Sequence, residues 1–588
     1  MNDLKDQDVL ILGLGISGLA MARWCTRQGA RVVVADTREQ PPHLPALRSE
    51  CTQAAFVHGA FDEALLGQRE WHLIARSPGL PPQQLERVHH HAQSTGTPLV
   101  GELDLFARAL ADLSKREAWP YRPKVLAITG TNGKTTVTSL TGLLMERCGW
   151  RTAVAGNIGP ALLDVLTQAL DHEACATAED ERRQAAEAAE APKTDEAPAN
   201  VDQEGSVAPL EGEAADTLAE VEALLEDEGP TPIAPLPPEP PQPPHLPQVW
   251  VLELSSFQLD GTSGGPWETV PTAATVLNVT EDHLDWHGSM EAYTQAKRAI
   301  FGSAALMVLN RDDPKVIAMK PGLVTVKIGG RNRQVPARAW TSFGLDTPRR
   351  PGEWGVESVN GMEWLVRAVA LDETRKRGRA ADDEEEIWLQ RLMPADALRI
   401  RGRHNAANAL AALALATSTG AQLAPMLHGL REYRGEPHRV EPVGIIDEVE
   451  YFDDSKGTNV GATLAAVEGL GAERRLVVIL GGDGKGQDFE PLAQPLARHA
   501  RAVVLIGRDA PRIRAQVEQP GLTLLDASTL PEAVRLCASQ ARPGDAVLLS
   551  PACASLDMFD NYVHRAKVFV DSVAELAAER GQDLGGAL

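Results

Sequence analysis

At 588 residues the chain is too long for one core and divides into three or four units. Its formal charge of −24 is concentrated in residues 171–247, where 20 Asp+Glu face three Lys+Arg (3 − 20 = −17), and the remaining −7 excludes the basic face a nucleic-acid partner needs. Six scattered cysteines without a CxxC exclude a disulfide framework or zinc site, and without a signal peptide or a membrane-length apolar run a cytoplasmic protein is expected.

In chain order, "DVLILGLG", "ISGLAMARWCTRQG", "RVVVAD" and "HLIARSPG" alternate short apolar strands with amphipathic helical stretches. Such alternation predicts a parallel sheet with crossover helices, a first domain over residues 1–117. Gly13, Gly15 and Gly18 form Gly-x-Gly-x-x-Gly between a strand and a helix, and Asp36 ends the next strand. Glycines in that context let a backbone approach a diphosphate at a helix N-terminus. Taken alone, the motif is compatible with nicotinamide or flavin, with another diphosphate such as a nucleotide sugar, and with a tight structural turn.

After the linker-like "REAWPYRPK", the strand "VLAIT" begins a second α/β unit, expected over 118–435. It runs into "GTNGKTT", Gly130 to Thr136, and then a helix. A Walker A loop is Gly-x-x-x-x-Gly-Lys-[Ser/Thr]. Here Ile128 stands where the first glycine belongs, and the loop is the shorter Gly-x-x-Gly-Lys-Thr. The physics of phosphate binding survives the shortening: N–H groups at a helix start attract an anion, Lys134 supplies a point charge, and Thr135 or Thr136 a hydroxyl for Mg²⁺. A lysine at a helix start opposes the macrodipole unless a ligand compensates it.

Residues 171–247 pass from Ala/Glu-rich to Pro-rich sequence and predict a disordered insertion, with fleeting helix around "ADTLAEVEALLEDE". The strand in "VWVLELSSFQLD" then delivers Glu253 at its C-terminal end, where open α/β sheets bind ligands and a carboxylate holds Mg²⁺ or satisfies a structural contact. "NVTEDHLDWHGSMEAYTQAKRAIF" carries Asp282, His283, Asp285 and Lys297. By pattern alone His283 is a capping or core histidine, and Lys297 a solvated lysine. Residues 329–392, with "TRKRGRAADDEEEIWLQ", read as an elaborated surface hairpin region. In "RGRHNAANALAALALA", Asn405 and Asn408 share a helix face, suited to bonding a base or to capping.

A third α/β unit is expected over 436–588, from strands such as "RLVVILGG", "RAVVLIG", "LTLLD" and "DAVLLSP". "FDDSKGTN", "LGGDGKGQDF" and "LLSPACASLDMFDNY" place Asp454, Lys456, Thr458, Lys485, Ser550 and Ser555 in loops around it. Several such loops on one sheet make a cleft rim suited to small anions.

Together and in this order, "GTNGKTT", "NIG" at 157–159, "ELSSFQL", "NVTEDHLD", "RGRHNAANALAA", "PHRVE", "DDSKGTN", "GGDGKG" and "SPACASLDMFDNY" resemble the Mur ligase family. The resemblance spans nearly the whole chain outside the two irregular stretches, and "DSKGTN" is similar to the branch that adds D-glutamate. It implies an α/β protein of three domains: a Rossmann-like parallel sheet, a central P-loop-type ATPase domain and a C-terminal Rossmann-like domain. The implied activity is an ATP-dependent ligase of peptidoglycan precursor synthesis, joining D-glutamate to UDP-N-acetylmuramoyl-L-alanine through an acyl phosphate and a tetrahedral intermediate. The alternatives are another Mur-type ligase with a different amino acid, a nicotinamide oxidoreductase and a non-catalytic binding protein. The extra phosphate loop opposes the oxidoreductase, and the joint presence of Lys134, Glu253, Lys297 and Lys485 opposes the binding protein.

The resemblance also implies roles. Ile16, Ser17, Thr37, Arg38, Gly79, Asn157 and His283 become candidate contacts to the UDP-sugar, so nicotinamide is no longer required. Gly130, Thr131, Asn132, Gly133, Lys134, Thr135 and Thr136 would hold ATP phosphates, with Asn405 and Asn408 near the adenine and Arg439 and Asp454 completing the nucleotide site. Two Mg²⁺ are expected, with Thr135, Glu253, His283 and a carbamylated Lys297 as ligands. Lys134, Glu253, His283, Lys297 and Lys456 are the catalytic candidates. Thr458, Lys485, Ser555, Leu556 and Tyr562 match positions that receive D-glutamate, Tyr562 standing where the family often has Phe. The expected partners are the small substrates, with no membrane insertion and a monomeric chain.

Overall fold

Val9–Leu12, Val249–Leu252 and Val477–Leu480 are apolar at every position, and every residue in them is buried. Unbroken apolar runs of this kind belong to parallel strands covered by helices on both faces. The computed structural model, which describes residues 4–190, 243–328, 331–371 and 387–584, arranges them in three separate sheets.

The first sheet is parallel throughout, in the order Ala55–His58, Arg31–Asp36, Asp8–Leu12, Leu73–Arg76, Leu99–Val100. In the second, the strand Lys124–Thr129 lies between Val249–Glu253 and Ala273–Val276, parallel to both, with Thr152–Gly156 at one edge. On the other side Leu306–Asn310, Trp340–Phe343 and Trp354–Val359 continue it in parallel, and Met362–Ala370 and Ile387–Pro394 close it antiparallel. In the third sheet, Val449–Asp453, Ala546–Leu549, Leu476–Gly481, Ala500–Ile506 and Thr523–Asp526 are parallel, and Glu441–Ile446 is an antiparallel edge. This is the three-part α/β architecture that the sequence predicts.

The helix Lys134–Arg147 starts at Gly133, whose φ of +82° is the left-handed conformation glycine adopts without a Cβ penalty. Its Val137, Leu140 and Leu144 share one buried cluster with Leu410 and Leu413 of the helix Arg403–Thr417. That packing brings the "RGRHNAAN" segment up against the phosphate loop.

Two expectations change. The insertion expected to be disordered from residue 171 begins as helix, because one helix runs unbroken from Leu162 to Glu190. Its Ala/Glu-rich composition favours helix, and ion pairs Arg27–Asp171 and Arg116–Glu173 tie it to the N-terminal part of the chain. At the far end, Leu246 is buried and the Pro247 carbonyl accepts the Tyr121 hydroxyl at 2.7 Å. Residues 191–242, including "ADTLAEVEALLEDE", lie outside the described residues. The stretch 329–392 does form hairpins, but it is no mere surface elaboration. Trp354, Val356 and Leu365 are buried in the cluster beneath the helix Arg403–Thr417, so the strands from Trp340 onward extend the central sheet, whereas Arg331–Pro336 pairs with Leu323–Ile328 in a separate two-stranded hairpin; residues 372–386, with the whole "TRKRGRAADDEEE" run, lie outside the described residues. Among the described residues no helix is long and apolar enough to cross a membrane.

Candidate active site

The phosphate loop is fixed by the strand end beside it. Asn132 donates its N–H to Asn278 Oδ1 at 2.8 Å and accepts Asn278 Nδ2 at its carbonyl at 3.1 Å. Thr131 Oγ1 accepts the Thr280 N–H at 3.1 Å and lies 3.2 Å from the Tyr293 hydroxyl. Lys134 Nζ donates to the carbonyls of Gly130 and Thr131 at 2.9 and 2.8 Å. Burial pushes its pKa down, while Glu253 and Asp282 pull it back up.

Glu253 ends its strand at 1% exposure. Its Oε1 accepts Asn157 Nδ2 at 2.7 Å, and its Oε2, also buried, has no hydrogen-bond partner. A buried carboxylate oxygen without a partner is costly, and it is a hard oxygen donor of the type Mg²⁺ takes. With the Thr135 hydroxyl at the start of the adjacent helix, the residues present fit a divalent cation.

Lys297 is not the solvated lysine its pattern suggests: it is 1% exposed. Its Nζ donates to the Gly130 carbonyl at 2.8 Å and sits 4.5 Å from the centre of the Tyr293 ring. Burial, reinforced by Lys134, pushes its pKa well below the ordinary lysine range. His283 stands at the start of the short helix Leu284–His287, with φ +53° and its ring edge on Phe257 at 4.8 Å. Burial lowers its pKa, and both lysines act in the same direction. His287 stacks on Phe257 and meets Ser256 Oγ at 3.0 Å; burial lowers its pKa to about 4. Phe257, His283, His287 and Tyr293 pack on one another beside the lysine, with the Tyr293 ring against its Nζ.

The third sheet completes the cluster. Arg439 donates to Thr135 Oγ1 at 2.8 Å. His438, whose Nδ1 lies 2.7 Å from Asp453 Oδ2 and whose N–H reaches Glu441 Oε2 at 2.8 Å, anchors the turn that aims it. Asp454 accepts Ser550 Oγ at 2.6 Å, and burial raises its pKa to about 7 despite Arg439 nearby. Lys456 Nζ lies 3.9 Å from the centre of the Tyr562 ring. Burial lowers its pKa, with Arg439 and Lys134 lowering it further and Glu253 opposing them. The buried Arg565 knits this loop to the next through Ser455 and the Cys553 carbonyl. Asn408 presses on the phosphate loop, its Oδ1 only 2.8 Å from where a Cβ on Gly133 would stand, and also donates to Asn405 Oδ1 at 2.9 Å.

At the N-terminal sheet, a Cβ on Gly18 would meet the Gly13 carbonyl oxygen at 1.9 Å, whereas one on Gly15 would meet nothing within 4 Å. Gly18 is needed for packing, and the space beside Gly15 is open. Asp36 is not the free ribose acid of a nicotinamide site, since its carboxylate accepts the Leu14 N–H at 2.6 Å and Arg38 Nε and Nη2 at 2.9 and 2.8 Å. Those three bonds lower its pKa to about 2 against the pull of burial. Ser17 hydrogen-bonds the buried Glu102. Ile16, Thr37, Arg38 and Gly79 are exposed around this turn.

Lys134, Thr135, Glu253, Lys297, Asn408, Arg439 and Lys456 thus converge from two sheets. Thr136 is buried as the third residue of the helix, and Ser555 is buried in its loop. Lys485 and Leu556 are exposed, Leu556 at 69%, and neither makes a side-chain contact to the phosphate loop among the described residues. Pattern reading passed over Asn278, Phe257, His287, Tyr293 and Arg565; only the closeness of the first to a strand end could have flagged it.

Three family models match the chain: "Mur ligase MurD-like, N-terminal domain" over residues 7–101, "Mur ligase middle domain" over 244–344, and "Mur ligase, glutamate ligase domain" over 438–553. The UDP-N-acetylmuramoylalanine--D-glutamate ligase of Albidiferax ferrireducens is 54% identical over 587 residues, covering 100% of both chains. The protein of the same name from Polaromonas sp. is 48% identical, covering 99% of this chain and 100% of its own. Among solved structures, the MurF ligase from Thermotoga maritima in complex with ADP has a TM-score of 0.50 at 13% identity, covering 98% of this chain and 96% of its own. That structural likeness concerns the fold alone.

Proposed function

The chain belongs to the Mur ligase family, and from that premise we propose that it joins D-glutamate to UDP-N-acetylmuramoyl-L-alanine at the expense of ATP, in peptidoglycan precursor synthesis. The observation that carries the reading is the convergence of Lys134, Glu253, Lys297, Arg439 and Lys456 around one short phosphate loop. We take the chain to act as a monomer in the cytoplasm.

A carboxylate is a poor acyl donor because its leaving group would be oxide. In the proposed reaction the L-alanyl carboxylate oxygen attacks the γ-phosphorus of ATP, and ADP leaves. The D-glutamate amine then attacks the acyl carbon, loses its proton, and the tetrahedral intermediate expels phosphate. Negative charge gathers on phosphoryl oxygens in both steps, and Lys134, Arg439 and Lys456 are placed to meet it. Lys134 exchanges its contacts with loop carbonyls for phosphate oxygens without leaving the loop. Bound Mg²⁺, held through Glu253, the Thr135 hydroxyl and His283, would neutralise charge on those oxygens.

Lys297 enters as a carbamate in this reading. Its low pKa leaves a neutral amine able to take up CO₂ with loss of one proton, and the product is an anionic oxygen donor where an ammonium would repel the metal. The Tyr293 ring, 4.5 Å from its Nζ, shields one side of it. On the first sheet, the open face of Gly15 is the proposed seat of the UDP diphosphate, flanked by Ile16, Ser17, Thr37, Arg38 and Gly79. Thr458, Lys485, Ser555, Leu556 and Tyr562 would receive D-glutamate.

The test is phosphate release from purified protein. Release should require ATP, Mg²⁺, UDP-N-acetylmuramoyl-L-alanine and D-glutamate together, with other amino acids failing to substitute. Full release without D-glutamate would defeat the reading.

A further inference from the structure

The phosphate loop and the amino-acid loops lie on different sheets, yet one run of polar contacts joins them. Asn132 in the phosphate loop and Asn459 in the third sheet's first loop face each other amide to amide. Asn132 Nδ2 donates to Asn459 Oδ1 at 3.4 Å, and Asn459 Nδ2 donates to Asn132 Oδ1 at 3.2 Å. Neither side chain is free to wander. The Asn132 backbone is clamped by Asn278, and Asn459 Oδ1 also caps the helix Val460–Gly471 by accepting the Ala462 N–H at 2.8 Å.

The contact is close because the helix has no side chain in the way. A Cβ on Gly461 would lie 3.1 Å from both Asn132 Nδ2 and Thr280 Oγ1. The run then continues. The Val460 N–H donates to Gln487 Oε1 at 3.1 Å, and Gln487 donates from its own N–H and its Nε2 to the Gly484 carbonyl at 2.9 and 3.2 Å. Gln487 thereby folds the glycine-rich turn in which Lys485 sits, at a φ of +48°.

We propose that Asn459 and Gln487 are positioning residues that couple the phosphate loop to the loop bearing Lys485, so that nucleotide bound at Asn132 presets the pocket for the incoming amino acid. The proposal rests on the ligase reading for the identity of that amino acid, but not for the coupling. Asn459 touches no reacting atom; its contribution is the geometry it transmits. An amide is required because it must donate and accept at once, and serine, which caps a helix as well as asparagine does, is too short to reach Asn132.

Asn459→Ser therefore keeps the cap and deletes the pair. In full-length protein it should raise the KM for D-glutamate at least about fivefold, the low end for two neutral hydrogen bonds, and, because coupling is reciprocal, weaken ATP in the same sense when D-glutamate is bound. Gln487→Ala should also raise the KM for D-glutamate and serves as the second variant should Asn459→Ser fold poorly. The deciding readout is hydrogen exchange at residues 484–487. In the wild type a non-hydrolysable ATP analogue with Mg²⁺ should slow exchange there, and in either variant it should not, although the analogue still binds. Equal slowing in wild type and variants would overturn the proposal. If the wild type fails to turn over D-glutamate, the ligase reading falls, and the exchange experiment still decides the coupling.

Discussion

Lys134 and Lys297 donate to the same acceptor, the carbonyl oxygen of Gly130, at 2.9 and 2.8 Å. Two buried lysines on one neutral oxygen cannot both carry full charge at low cost. Lys297 is the one that yields: burial and the neighbouring Lys134 hold it well below the ordinary lysine range. With ¹³CO₂, a carbamate signal is expected in the carbon NMR spectrum of the wild type and none in Lys297→Arg, whose guanidinium does not take up CO₂. Removal of CO₂ should lower activity reversibly. Full activity in CO₂-free buffer would show that the amine works unmodified.

Glu253→Gln keeps the volume and an oxygen for Asn157 Nδ2 but removes the charge facing Lys134. The fold should persist, with turnover reduced on the order of 10²–10³, the usual effect of losing one electrostatic group at a reacting centre. Mg²⁺ titration of activity should shift to higher concentration. An unchanged Mg²⁺ dependence would remove Glu253 from the metal site.

The two glycines of the first turn should separate stability from binding. Gly18→Ala drives a Cβ to 1.9 Å from the Gly13 carbonyl oxygen and should lower the melting temperature or prevent folding. Gly15→Ala meets open space and keeps an ordinary φ of −89°, so its melting temperature should match the wild type. Its KM for the UDP-sugar should nevertheless rise. A wild-type KM for Gly15→Ala would place the diphosphate elsewhere.

Asp454 gives a pH signature. Burial raises its pKa from 3.8 to about 7. Between those values the folded chain holds a proton that the unfolded chain has released, so this group's contribution to stability falls as pH rises through the window. Asp454→Asn mimics the protonated form at every pH. Relative to wild type its melting temperature should therefore climb between about pH 4 and pH 7, and a constant offset would contradict the assignment.

How far the sequence spoke depended on the range of the interaction. Lys134 and Glu253 were legible because ligand-binding groups gather at the C-terminal ends of parallel strands, and both sit next to such an end in sequence. Lys297 was legible only through the family resemblance: helix periodicity cannot foresee that a residue 167 positions from Gly130 folds onto its carbonyl. Asn459 and Arg565 likewise act through partners more than 100 positions away. Asp36 misled in the other direction, since the fingerprint fixes where an acid stands but not that Leu14 and Arg38 already occupy it. The helix reaching Glu190 was hidden by composition, which registers low hydrophobicity but not ion pairs formed with a distant domain.

That helix bears on how the molecule can move. Arg23 binds Asp164, Arg27 binds Asp171, Arg116 binds Glu173, and the buried Glu102 accepts the Leu163 N–H near the helix start. The first two sheets are braced along several turns of one rod. The chain crosses to the third sheet after Tyr433, where Gly435, His438 and Val440 take φ values of +95°, +64° and +50°. For a β-branched valine that conformation costs of order 1–3 kcal/mol, so the segment that joins the second sheet to the third holds strain at Val440 that the surrounding contacts must offset.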